Sequence, residues 1–99
     1  MTEREMLEAA ARAAGKSQHW VVHSLLQGGY AEELMAALRI SVEHNSNTCR
    51  QPWVRARIDV SAWEAKVYQE DVPDESQRAD RMRLAILRCA AAQAPKEQA

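Results

Sequence analysis

Apolar residues first recur at helical spacing, as Met6, Leu7, Ala10, Ala13 and Ala14. Ahead of them Thr2 and Glu5 stand in the S/T-x-x-E arrangement, in which each side chain satisfies the other's free backbone N–H. Glu8 and Arg12 form an i,i+4 pair in the favourable order, and Gly15 stands where a left-handed cap is wanted. The spacing predicts a helix over 3–14. The next apolar stretch, His19-Trp20-Val21-Val22-His23, is short, β-branched and aromatic, and reads as a strand. Gly28-Gly29 then interrupts the chain. Leu34, Ala37 and Leu38 supply the stripe of a short helix over 31–39, with Glu32 and Glu33 in the first turn, where the helix dipole favours acids.

From Arg39 the period drops to two. Ile40, Val42 and His44 share one side, and Arg39, Ser41 and Glu43 the other. Residues 45–52 form a polar loop containing Cys49. Alternation returns with Val54, Ala56 and Ile58 against Trp53, Arg55, Arg57 and Asp59. After a turn near 59–61 it continues, with Trp63, Ala65 and Val67 against Glu64, Lys66 and Tyr68. Such a pattern predicts an antiparallel meander with one solvated face. Asp74, with Gln77 three residues on, reads as the cap of a last helix that Pro95 stops; Ala79, Met82, Ile86, Cys89 and Ala90 form its buried stripe. The expected fold is one α+β domain over 1–94, with residues 95–99 a frayed tail. It is a small antiparallel sheet of three to four strands with helices packed on one face. Its core would centre on Met6, Leu7, Leu34, Leu38, Ile40, Val42, Ile58, Val67, Met82 and Ile86.

Composition narrows the function classes. With 99 residues the chain makes one small domain, whose thin core has only five aromatic residues and no Phe to draw on. A formal net charge of -1 removes the simplest case for a polyanion, and neither half of the chain departs far from neutrality. No apolar run is long enough to span a membrane, and the start lacks the basic-then-apolar order of a signal peptide. Two cysteines forty positions apart argue against a secreted disulfide scaffold. These features predict a cytoplasmic protein without a membrane partner.

Candidate chemistry is sparse. His19 and His23 share a face, and His44, Cys49 and Cys89 would have to complete a metal site, but no ligands come in the tight pairs zinc motifs use. Neither metal nor cofactor is expected. Cys49 precedes Arg50, a cation that would lower a thiol's pKa, and His44 is near in sequence, yet no nucleophile signature surrounds them. Glu32 and Glu33 would repel an anion from the Gly28-Gly29 turn. No catalytic residue is expected.

Two binding readings remain. Trp53, Arg55, Arg57 and Tyr68, placed together on the sheet face away from the helices, are the residue types that dominate protein-binding hot spots. Arg55 and Arg57 with Arg78, Arg81 and Arg88 on the last helix offer an alternative, a nucleic-acid surface. The helix–strand–strand–strand–helix order from Ala31 resembles the double-stranded RNA-binding domain. That family has a lysine cluster at the start of its last helix, where this chain has Asp74, Glu75 and Asp80. The chain could act as a monomer or as a homodimer joined through an exposed edge strand.

A broader resemblance spans most of the chain. Thr2-Glu3-Arg4-Glu5-Met6-Leu7-Glu8-Ala9-Ala10-Ala11-Arg12-Ala13-Ala14-Gly15 resembles the "T-D-R-E-L-L-E-x-A-A-x-A-A-G" start of small phage and prophage accessory proteins of Pseudomonas and Burkholderia. Residues 29–42, from Gly29-Tyr30-Ala31 to Ile40-Ser41-Val42, are similar to their "D-G-D-A-L-R-L-A-V-K-L-x-L-x-V" passage. Val72-Pro73-Asp74 followed by residues 81–92 is similar to their "V-P…T-R-R-A-I-V-R-A-A-A" ending. The chain departs from the pattern at His23-Ser24-Leu25-Leu26-Gln27, where "W-N-P-L" is usual. The resemblance implies a phage accessory product in a bacterial cytoplasm that binds a host protein. Inhibitors of host defence, such as anti-CRISPR proteins, act in that way.

Overall fold

The computed structural model describes residues 1–45, 48 and 50–95. At its start Thr2 Oγ1 accepts from the Glu5 N–H at 3.1 Å, and Glu5 Oε1 accepts from the Thr2 N–H at 3.1 Å. This reciprocal cap opens helix α1 (Glu3–Ala14), and Gly15, left-handed at φ 71°, closes it by donating to the Ala11 carbonyl.

The strand expected over 19–23 is instead the first half of a second helix, α2 (Gln18–Gln27). Ser17 Oγ accepts from the Trp20 N–H at 3.3 Å, and Gly28, at φ 70°, donates to the Ser24 carbonyl at the far end. Capping at both ends and burial of Val21 in the common core outweigh the β-preference of Trp-Val-Val. Helix α3 (Tyr30–Leu38) follows Gly29 at φ 74° and ends at Arg39, among the described residues the non-glycine residue with a left-handed backbone, φ 56°. Arg39 is therefore a helix cap rather than the first residue of a strand. The Ile40 N–H then reaches back to the Met35 carbonyl at 3.0 Å and turns the chain into the sheet.

Three strands, β1 (Ser41–His44), β2 (Trp53–Asp59) and β3 (Ala65–Asp71), form an antiparallel sheet in the order β1-β2-β3. Val42 pairs with Ala56, and Ala56 with Tyr68. Paired residues point to the same side, so the side that buries Val54, Ala56 and Ile58 also takes Tyr68 and Glu70. The alternation read for the third strand is thus one residue out of phase. Val67, expected in the core, is opposite Arg57 on the outer side and 50% exposed. Trp63, expected in the strand, precedes it in the connection.

Asp74 Oδ1 accepts from the Ser76 N–H and hydroxyl, both at 2.9 Å, and starts a 3-10 turn (Glu75–Gln77) that runs into helix α4 (Arg78–Ala92). Helix α4 packs on the inner side of β2 and β3, α1 and α3 pack on α4, and α2 packs on α1. The helices thus occupy one side of the sheet, in an α+β architecture. Leu7, Leu34, Ile86 and Leu87 are the largest side chains sealed inside, with Met6, Leu38, Val42 and Met82 half-buried around them. Ala79, placed on the buried stripe of the last helix by its spacing, is exposed, because the helix meets the core only from Met82 onward. No described helix is long and apolar enough to cross a membrane. Residues 96–99 of the expected tail lie outside the described residues.

Candidate functional site

Register puts Trp53, Arg55, Arg57 and Asp59 of β2 on the outer side, flanked by Ser41 and Glu43 of β1 and by Val67, Gln69 and Asp71 of β3. Arg55 lies over the Trp53 ring with its guanidinium carbon 4.6 Å from the centroid, a cation–π arrangement. One terminal nitrogen of Arg55 bonds Glu43 Oε2 at 3.0 Å across the strand pair, while Nε is buried without an acceptor. Ring, guanidinium and carboxylate therefore hold each other as one rigid unit. Beside them Arg57 is half-exposed, at 3.4 Å from Asp59 Oδ1.

Beyond β2 the chain turns through residues 60–64. The Val60 and Ser61 N–H groups both donate to the Glu64 carbonyl, at 3.0 and 3.3 Å, and the Trp63 N–H donates to Ser61 Oγ at 3.2 Å. This bonding orders the backbone of the hairpin tip, yet the Trp63 side chain is 95% exposed. Sequence spacing hid this residue by treating it as part of a strand. The signal that marks it is Asp59-Val60-Ser61, where the polar Asp59 and Ser61 turn the chain and end the strand before the tryptophan.

Tyr68 does not join Trp53, Arg55 and Arg57 on the outer face. Pairing with Ala56 places it on the inner side, where it packs against the core in a cleft with Met1, Met6 and Arg88. The strand alternation could have been read in either phase, and the phase that buries Val67 fails because it would turn Glu70 away from α4. Glu70 instead faces α4, with its side chain 12% exposed, and pairs with both Arg88 and Arg81, the latter at 3.8 Å.

The five arginines of the nucleic-acid reading are not gathered into one stripe. Arg55 and Arg57 are on the outer face, Arg81 and Arg88 close onto Glu70 on the inner side, and Arg78 stands at the start of α4. Arg78 chelates Glu75 through Nε and a terminal nitrogen at 2.7 and 2.8 Å, and its other terminal nitrogen approaches His44 Nδ1 at 2.8 Å. The hydrogen bond to Arg78 holds the Glu75 carboxyl below its ordinary range and raises the guanidinium. Each of the five is paired with a carboxylate, which offsets the charge available to a phosphate backbone.

Helix α2 carries His19 and His23 on its exposed surface, remote in the fold from Cys89, which α4 buries. Among the described residues no three His, Cys, Asp or Glu side chains form a group able to hold a metal. Burial pushes the Cys89 thiol up to about 11, so it is the protonated, unreactive form that packs in the core. Cys49 lies outside the described residues. A concavity of about 730 Å³ opens at Gly28-Gly29 between α1, α3 and α4; Met6, Met35 and Met82 line it with Tyr30. Burial, with Glu3 and Asp80 adding to it, raises the Tyr30 phenol above its usual value. No protein-family model, curated protein or solved structure matches this chain.

Proposed function

We propose that this chain is a non-enzymatic binding protein, a phage or prophage accessory product that engages a host protein through the outer sheet face and the hairpin tip. Inhibition of a host defence, as anti-CRISPR proteins achieve it, is the role this reading favours. The observation that carries it is Trp63: in a domain with five aromatic residues and no Phe, one tryptophan stands almost wholly in solvent on a hydrogen-bonded turn. Trp53 stacked with Arg55, and Arg57 beside them, extend the same surface with the residue types that anchor protein interfaces. The host and phage context is supported by the resemblance of the helix-1, helix-to-strand and last-helix segments.

The test is capture of binding proteins from bacterial lysate on the tagged chain, with and without nuclease, alongside a Trp63→Ala variant. A protein retained in both nuclease lanes and lost by Trp63→Ala supports the reading and identifies the partner. Retention that disappears with nuclease would transfer the site to the alternative, a nucleic-acid-binding domain. Retention unchanged by Trp63→Ala would remove the hairpin tip from the interface.

A further inference from the structure

Three of the four methionines of the chain, Met6, Met35 and Met82, line the concavity that opens at Gly28-Gly29. Each is half-buried, and each comes from a different helix, α1, α3 and α4. Unbranched thioethers make a wall that can repack around an apolar guest. Tyr30 stands among them. It is only 9% exposed, yet its hydroxyl makes no hydrogen bond to any described residue. A phenol so far buried, with a donor and an acceptor to spare, costs free energy until something bonds it. Glu3, Asp80 and Arg83 act electrostatically on that phenol and line the same concavity, so the hydroxyl faces its polar rim. Charge at the rim is one-sided. Arg83 pairs with Asp80, whereas Glu3 and Glu32 have no cation partner among the described residues. Each of the three acids stands in the first turn of its helix, but a helix start carries only about half a positive charge and offsets a carboxylate in part. The rim keeps a negative surplus.

We infer that this concavity is a binding site for a small primary ammonium ion with an apolar tail. The tail lies on the three methionines, and the ammonium N–H groups have the Tyr30 oxygen and the rim carboxylates as acceptors. Surplus carboxylate selects a cation over an anion, and over a neutral alcohol, which cannot use that charge. At about 730 Å³ the concavity has the size of a small-molecule site, which favours a free amine over the lysine of a protein partner. The other cleft, beside Tyr68, has Arg88 in its lining and so disfavours the same ligand. The inference is independent of the proposed host-binding function, whose residues lie on the other side of the sheet.

Titration of the full chain with hexylammonium, hexanol and hexanoate at neutral pH, read by NMR on methyl-labelled methionines, tests the inference. Hexylammonium is expected to shift the Met6, Met35 and Met82 methyls along one saturating curve, and hexanol and hexanoate to bind about tenfold or more weakly. Tyr30→Phe should weaken hexylammonium by about fivefold yet melt with the parent, because the hydroxyl it removes bonds nothing in the described fold. Should that variant misfold, Glu3→Gln with Glu32→Gln removes the rim charge instead and is expected to abolish the preference for the cation. Absence of a saturable shift overturns the inference. So does equal affinity for the three ligands, or binding that both variants leave intact. A shift confined to Met1 and Met6 overturns it too, since it would put the ligand in the other cleft.

Discussion

The two sides of the sheet are made from the same three strands and obey different physics. On the inner side Val54 and Ala56 are sealed under α4, and the one acid there, Glu70, is held by two arginines. On the outer side acids and bases pair across the strands, Glu43 with Arg55, and along β2, Arg57 with Asp59, and no described element lies over them. Inner-side charge is a packing problem solved by pairing. On the outer side the Arg57–Asp59 pair is solvated, so its pairing contributes little to folding and is free to be exchanged for a partner's groups, while Arg55 is held between Glu43 and the Trp53 ring. Stability and binding should therefore separate by face.

The largest expected effect lies at the centre of the inner side. Ile86→Ala opens a cavity in the sealed core, and denaturant unfolding should show a loss of about 2–5 kcal/mol. Next comes the buried thiol. Because folding raises the Cys89 pKa to about 11 from its ordinary 9.0, the unfolded chain releases the proton first. Stability is intact below pH 9 and falls as pH rises from 9 toward 11. In a Cys49→Ser background, thermal melts across that range should fall more steeply than those of a further Cys89→Ala variant. Glu70→Gln, which leaves Arg81 and Arg88 without their carboxylate, is expected to cost about 1 kcal/mol in the same denaturant assay. Trp63→Ala should be the smallest, within about 0.5 kcal/mol of the parent, since the ring leaves water on neither side of the unfolding reaction.

The same contrast explains what could be read in advance. The Thr2–Glu5 box and Gly15 delimit α1 because local bonds decide helix ends, and those bonds are present at both. Strand β2 announced its phase because its inner residues Val54, Ala56 and Ile58 are apolar and its outer ones polar. Strand β3 did not. Its inner positions are Lys66, Tyr68 and Glu70, and an acid becomes tolerable there only because α4 brings two arginines from far along the chain. Helix α2 was hidden for another reason: His-Trp-Val-Val-His has strand-like side chains, and the apolar residues on its two sides leave no clear helical stripe. Its limits were nonetheless written in Ser17 and Gly28. For the candidate site, Trp53, Arg55 and Arg57 followed from alternation alone, Tyr68 was placed on the wrong side, and Trp63 was missed with the strand end.

Acid should sharpen the account from the helix ends. Hydrogen bonds from Ser76 hold the Asp74 carboxyl below its ordinary 3.8, and those from Thr2 hold Glu5 below 4.5. Both lowered values mean stability that is present above those ordinary values and lost as pH falls through the folded ones. Melting temperature should therefore drop on acidification below about pH 4, with Asp74→Ala showing a shallower drop than the parent.

The central claim is that binding belongs to the outer face. Its most direct test is the double variant Trp53→Ala with Arg57→Glu, compared with the parent and with Leu26→Glu, on the exposed side of α2, for the amount of partner captured at equal folded protein. The account predicts that the double variant loses capture by about tenfold or more while its unfolding stays cooperative, and that Leu26→Glu still binds. Capture by the double variant at the parental level would contradict it.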